Sequence, residues 1–196
     1  VAKIVNDREA LAIFRKHLEV YTTLSDDEYE RVLTYFVPKK LKKHEFLVHE
    51  GDWVTNHHWV IKGLLVSNYT DDEGKDHIMQ FAIENCWITD QDAFYNQTKA
   101  IFNITCLEDT TLMCLSFSNR EKMCADMHKM EHYFRKKGND SFVKQQRRLL
   151  SYMTNDAKGR FNLLMAEYPG LYQRLSKKIL AAYLGVTRET LSRFKF

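Results

Sequence analysis

The chain has 196 residues, 44% hydrophobic and 28% charged, with seven Gly and two Pro, a composition that excludes disorder and collagen-like repeats and suits one large or two small globular domains. The formal net charge of +3 conceals a division after Ser116, because residues 1–116 carry 12 basic and 19 acidic side chains whereas residues 117–196 carry 17 and 7. This asymmetry suggests an acidic module joined to one that prefers polyanions, with a solvated basic face as the plainer alternative.

In chain order, residues 7–18 place Ala10, Leu11, Phe14 and Leu18 at helical intervals, and Ser25-Asp26-Asp27-Glu28 supplies a capping box for a second helix expected to run through Phe36. From Pro38 to Ser116 the pattern turns to short β-rich pieces at 46–48, 58–61, 64–69, 77–81, 101–107 and 111–115, the signature of a sandwich or barrel. Gly51, Gly63 and Gly74 sit where tight reversals call for positive φ. After Ser116 the periodicity is helical, with Ser118 or Asn119 as the expected cap. From about Met130 a long stripe of Met130, Tyr133, Phe134, Phe142, Leu149, Leu150 and Met153 needs a cover. We read it as a dimerisation helix with Met130, Phe134, Phe142 and Leu149 at the seam, Gly138 allowing close approach of a second helix. Asn155-Asp156 caps a further helix that Pro169-Gly170 ends.

No apolar run approaches the roughly 18 residues needed to cross a bilayer, and the start VAKIVNDREA has no signal-peptide core, so a soluble, cytoplasmic protein without a membrane partner is expected. Cys86, Cys106, Cys114 and Cys124 form no CxxC pair and read as reduced structural thiols.

The segment Lys177–Phe196 has helix-turn-helix spacing. With Lys177 as the first position, small Ala181 falls at the close inter-helix approach and Gly185 at the turn. Leu180, Leu184, Val186, Leu191 and Phe194 take the buried positions, and Thr187 caps the second helix. Arg188, Glu189, Ser192 and Arg193 then face outward with chemistry suited to base edges: Arg bonds guanine bidentately and Glu accepts from the cytosine amino group. Arg174, Lys177, Lys178, Thr187 and Lys195 are the candidate phosphate contacts.

The run Leu180 to Arg193, together with Pro38-Lys39-Lys40-Leu41-Lys42-Lys43, Glu50-Gly51 and Trp59-Val60-Ile61-Lys62-Gly63, resembles the bacterial Crp/Fnr transcription regulators over nearly the whole chain. The resemblance implies an α+β protein: an N-terminal double-stranded β-helix (jelly-roll) domain of the cyclic-nucleotide-binding type over 1–116, a connecting helix and long dimerisation helix over 117–153, and a C-terminal winged helix-turn-helix over 154–196. It implies a homodimer on a pseudo-palindromic DNA operator, with RNA polymerase as a further partner and a TGA-containing half-site as a hypothesis. The chain stops at Phe196, where the recognition helix should end; a subgroup without a wing, a wing partly supplied by Leu171 to Leu175 and a missing tail are the readings open.

Relatives that hold a cyclic nucleotide place a Gly-Glu pair and a later Arg-Ser pair at the phosphate. Here Thr89 and Asp90 stand at the first, and Lys99-Ala100-Ile101-Phe102 has no Arg-Ser. Asp90 and Asp92 would repel a phosphate, so conventional cyclic AMP binding is not expected, and Trp87, Ile88, Thr89 and Asp90 mark the candidate effector pocket for an unknown effector. No cofactor and no metal site is expected. Cysteine placement disfavours an iron-sulfur cluster; His77, His128 or Met130 as haem ligands have no supporting signature, and His128 with His132 lacks a third metal ligand. The absence of HxH argues against an oxygenase on the β-roll, and the protein is read as a non-enzyme. A roll serving only as a scaffold for a ligand-independent DNA-binding or assembly protein is the alternative.

Overall fold

The computed structural model describes residues 8–194, whose chain divides into two compact units, one of Val1–Ser67 with Gln80–Lys137 and one of Asn68–Met79 with Gly138–Phe196. The first begins with α1 (Arg8–Leu18) and α2 (Asp26–Leu33). Ser25 builds the expected capping box: its Oγ accepts from Glu28 N at 3.2 Å, and its N–H donates to Glu28 Oε2 at 2.7 Å. α2 stops at Leu33, short of the expected Phe36, because Phe36 opens the strand β1 (Phe36–Leu41) and its side chain enters the core.

The strands β2 (Phe46–Val48), β3 (Asn56–Lys62), β4 (Leu65–Thr70), β5 (Asp76–Ala82) and β6 (Trp87–Ile88) follow. The short helix α3 (Gln91–Asn96) and the strands β7 (Asn103–Cys106) and β8 (Thr110–Ser116) complete two four-stranded sheets, ordered β1-β8-β3-β6 and β2-β7-β4-β5. β8 pairs antiparallel with both β1 (Phe36↔Leu115) and β3 (Trp59↔Met113). This is an α+β fold with a jelly-roll-like pair of antiparallel sheets followed by helices. Successive side chains of β3 point to opposite faces, and both faces are covered. Trp59 enters a cluster with Phe14, Phe36 and Tyr133, while Val60 joins Leu65, Phe94, Ile104 and Leu112 in another. A strand buried on both sides reads as a continuous apolar run, which is why Trp59-Val60-Ile61 shows no alternation. Gly63, at φ +117°, has room only for hydrogen, since a Cβ there would lie 2.5 Å from Thr110 Oγ1 and 2.9 Å from Thr110 Cα. The four cysteines are unpaired with one another, and burial pushes the Cys114 thiol up to about 11.

Ser116, two or three residues before the expected cap, accepts from Asn119 N and starts α4 (Phe117–Asp126), followed by α5 (His128–Thr154). The apolar stripe of α5 is not one surface. Met130, Tyr133 and Phe134 are buried in the first unit's own core, so Met130 and Phe134 are corrected from dimer contacts to internal packing residues. Phe142 (64% exposed), Leu149, Leu150 and Met153 (76%), beyond Gly138 in the second unit, remain exposed. Nothing lies within 4 Å of a Cβ built on Gly138.

The second unit continues with α6 (Ala157–Glu167), capped by Asp156 Oδ1 accepting from Gly159 N at 2.7 Å, then α7 (Leu171–Arg174), α8 (Lys177–Leu184) and α9 (Arg188–Ser192). Leu171–Arg174 therefore forms a helical turn, with Leu175 extended after it, and among the described residues no strand follows Ser116. Among these residues no helix is long and apolar enough to cross a membrane.

Candidate nucleic-acid interface

The second unit closes its core with Phe161, Leu164, Leu171, Leu180, Ala181, Leu184 and Leu191, all buried, and Phe194 stacks 6.4 Å from Phe161. Ser176 Oγ caps α8 by accepting from Ile179 N, and the helix ends in a Schellman motif, with Val186 N donating to Ala181 O at 3.0 Å and Gly185 N to Ala182 O at 3.2 Å. That geometry needs the left-handed φ of +68° which Gly185 supplies. Thr187 then caps α9: its Oγ1 accepts from Thr190 N at 3.2 Å, and its carbonyl accepts from Leu191 N at 3.0 Å. With Leu191 anchored inward, Arg188, Glu189, Ser192 and Arg193 are brought together on the exposed side. The Glu189 carboxyl is held below the ordinary range by hydrogen bonds from its own backbone N–H and the Thr187 side chain, so it faces outward ionised. Lys177 and Lys178 are exposed in the first turn of α8, and Arg174 is half-buried on α7. Lys195 lies outside the described residues. The Thr187 hydroxyl is occupied by Thr190, which makes capping its main task.

Sequence reading passed over the polar groups that fix the end of α8. Tyr152 Oη donates to Tyr183 O at 2.6 Å, and Arg160 Nη2 donates to Leu184 O at 2.7 Å. These are carbonyls that the helix itself leaves unpaired. Both donors lie on the helices before the motif, outside the twenty-residue pattern, and a search for apolar periodicity does not weigh them.

In the first unit, Trp87, Ile88, Thr89 and Asp90 are brought together but turned inward. Trp87 Nε1 donates to Tyr133 Oη at 2.9 Å and to His17 Nε2 at 3.2 Å, and Thr89 Oγ1 donates to Asn56 O at 2.9 Å. Asp90 caps α3 by accepting from Ala93 N at 3.1 Å through Oδ1 and from Ile101 N at 3.0 Å through Oδ2. These polar groups are spent on internal bonds, and all four residues are buried. His57 and His58 are buried on β3; burial drives their imidazoles down to about 3 and about 4, and neither His57 ring nitrogen has a hydrogen-bond partner among the described residues. Met130 is a core residue, His77 pairs with Asp71 at 2.6 Å and His132 accepts from Arg135 at 3.0 Å. Among the described residues no three His, Cys, Asp or Glu gather as a metal site.

Residues 38–126 match the model of the cyclic nucleotide-binding domain family. That segment is similar to cyclic nucleotide-binding domains. Solved structures share the fold around it. The catabolite activator protein of Thermus thermophilus is 18% identical, with 87% of this chain and 81% of that one covered at a TM-score of 0.57. The c-di-GMP responsive global regulator CLP of Xanthomonas campestris is 13% identical, with 84% and 86% covered at 0.67. FixK2 of Bradyrhizobium japonicum is 16% identical, with 81% of each chain covered at 0.65. No curated protein sequence matches the chain. At these identities the likeness shows the fold.

Proposed function

We propose that the chain is a homodimeric, sequence-specific DNA-binding transcription regulator, with residues 1–116 as the cyclic nucleotide-binding-like domain, 117–153 as connector and dimer helix, and 154–196 as the DNA-binding domain. The observation that carries this reading is α9, held by the Gly185 turn and the Thr187 cap so that Arg188, Glu189, Ser192 and Arg193 share one exposed face. These four side chains read bases in the major groove, and Lys177, Lys178, Arg174 and Lys195 set affinity through phosphates. Two chains pair through the exposed half of α5, at Phe142, Leu149, Leu150 and Met153, and present two α9 helices about 34 Å apart to successive major grooves of a pseudo-palindromic operator.

The test is a pair of substitutions. Arg193→Ala should cost about 1–3 kcal/mol on cognate DNA and relax specificity, whereas Lys178→Ala should weaken all sequences alike and flatten the salt dependence. Equal effects of both on cognate and random duplexes would remove the division of labour.

Asp90 favours a second reading for the roll. Its carboxylate already accepts from Ala93 N at the N-terminus of α3, the kind of place where a helix takes an external anion. A roll that carries its own anion there works as a scaffold without a cyclic nucleotide, and the regulator is then controlled by other means.

A further inference from the structure

The tip of the β4–β5 hairpin, Asn68–Met79, belongs to the second unit, with α8 and α9. β5 is an edge strand, and Arg148 of α5 satisfies one of its carbonyls, Nη2 donating to Ile78 O at 3.0 Å. The same guanidinium lies 4.7 Å from the centre of the Tyr183 ring on α8 and 5.5 Å from that of Tyr152. Arg148 therefore ties the hairpin to the helix that ends at the Gly185 turn.

The tie is loose. An open cleft of about 340 Å³ is lined by Ile78, Met79, Arg148, Tyr183 and Gly185, and Arg148 Nε is buried with no acceptor among the described residues. An orphaned guanidinium N–H is costly, so the docked arrangement is one the protein can leave. The hairpin is also acidic: Asp71, Asp72, Glu73 and Asp76 stand against Lys75. Asp71 and Asp76 build the turn by accepting from Glu73 N and Lys75 N, and from Asn68 Nδ2 and Thr70 Oγ1, while Asp72 and Glu73 are exposed. Carboxylates carried on the same unit as a basic DNA-reading motif repel the phosphates that motif must approach.

We propose that the β4–β5 hairpin is a brake on DNA binding, latched by Arg148 to the C-terminal end of α8. The inference rests on the DNA-binding reading above. Arg148 Nη2 also donates to Tyr152 Oη at 3.4 Å, but the bonds from Tyr152 Oη to Tyr183 O and from Arg160 Nη2 to Leu184 O do not pass through Arg148, so releasing the latch leaves the α8 carbonyls held and frees the acidic tip.

The experiment measures anisotropy of a labelled random-sequence duplex at low salt for the full chain, Arg148→Gln, Asp72→Asn/Glu73→Gln and the combined variant, with hydrogen exchange over residues 70–79 in the absence of DNA. Arg148→Gln should accelerate exchange in the hairpin and tighten DNA binding about three- to tenfold, although it removes a positive charge. Asp72→Asn/Glu73→Gln, at exposed positions that do not endanger folding, should tighten binding without changing exchange and add little in the Arg148→Gln background. If the full chain binds duplex and Arg148→Gln binds no more tightly, the brake is refuted while the DNA-binding reading stands. If no form binds duplex, the reading and the brake fall together.

Discussion

Replacing Gly185 by Ala separates a conformational requirement from a packing requirement at the turn of the helix-turn-helix. A Cβ on Gly185 meets nothing within 4 Å, so the penalty is that of holding an L-residue at φ +68°. That strain is about 1–2 kcal/mol, partly offset by about 0.4–1 kcal/mol because Ala restricts the unfolded chain, leaving a net loss near 1 kcal/mol. Gly63→Ala makes the same conformational demand and adds a collision with Thr110 backbone at 2.9 Å. Overpacking of that kind costs about 1–3 kcal/mol more, for a total of about 3 kcal/mol. Urea unfolding distinguishes the two sites, since Trp53, Trp59 and Trp87 all lie in the first unit and tryptophan fluorescence reports on it, while far-UV circular dichroism also follows the helices of the second. Gly185→Ala should shift the dichroism transition slightly, leave the fluorescence transition in place and retain DNA binding; Gly63→Ala should lower the fluorescence midpoint strongly. A Gly185→Ala loss as large as that of Gly63→Ala would refute the reasoning that the turn needs only a backbone conformation.

Three further outcomes follow from particular groups. His57 and His58 are held neutral by burial, with folded-state values of about 3 and about 4 against an ordinary 6.5, so their contribution is fully present above pH 6.5 and is lost as the pH falls toward those values. At pH 5 the loss is about 2 kcal/mol for each, and His57→Phe should flatten the urea-midpoint profile between pH 7.5 and 5; an unchanged profile contradicts the burial argument. Asp90→Ala should cost about 2–4 kcal/mol by removing the α3 cap and orphaning the Ile101 N–H, with Asp90→Asn recovering about half, as measured by thermal denaturation. Phe142→Glu with Leu149→Glu should yield a monomer in sedimentation velocity without lowering the melting temperature of the first unit, and a persisting dimer would move the interface elsewhere.

Much of the fold was legible because local signals agreed with tertiary demand. Ser25 and Glu28 announced α2, Gly185 and Thr187 announced the turn and cap of the last motif, and β-branched and aromatic runs located most strands. β1 was missed because Pro38, Lys39 and Lys40 dilute its apolar pattern, and β6 because it is two residues long. The stripe on α5 was misjudged for a different reason. Periodicity records that a face is apolar, not what covers it, and Met130 and Phe134 are covered by the same unit's α1 and α2 helices and first sheet while Phe142 and Leu149 are not. At the candidate interface, the outward residues follow from helical spacing once Leu191 is fixed inward. Arg148, Tyr152 and Arg160 did not emerge, because their roles depend on backbone carbonyls of distant residues, which a linear pattern does not show.

The most direct test of the central claim is selection of binding sites from a randomised duplex pool with the purified chain, followed by footprinting of the enriched sequence. The account predicts an inverted repeat with half-site centres about one helical turn apart, protected on one face of the duplex, and loss of the repeat with Arg193→Ala. Recovery of unenriched sequences, or of single unpaired sites, would contradict it.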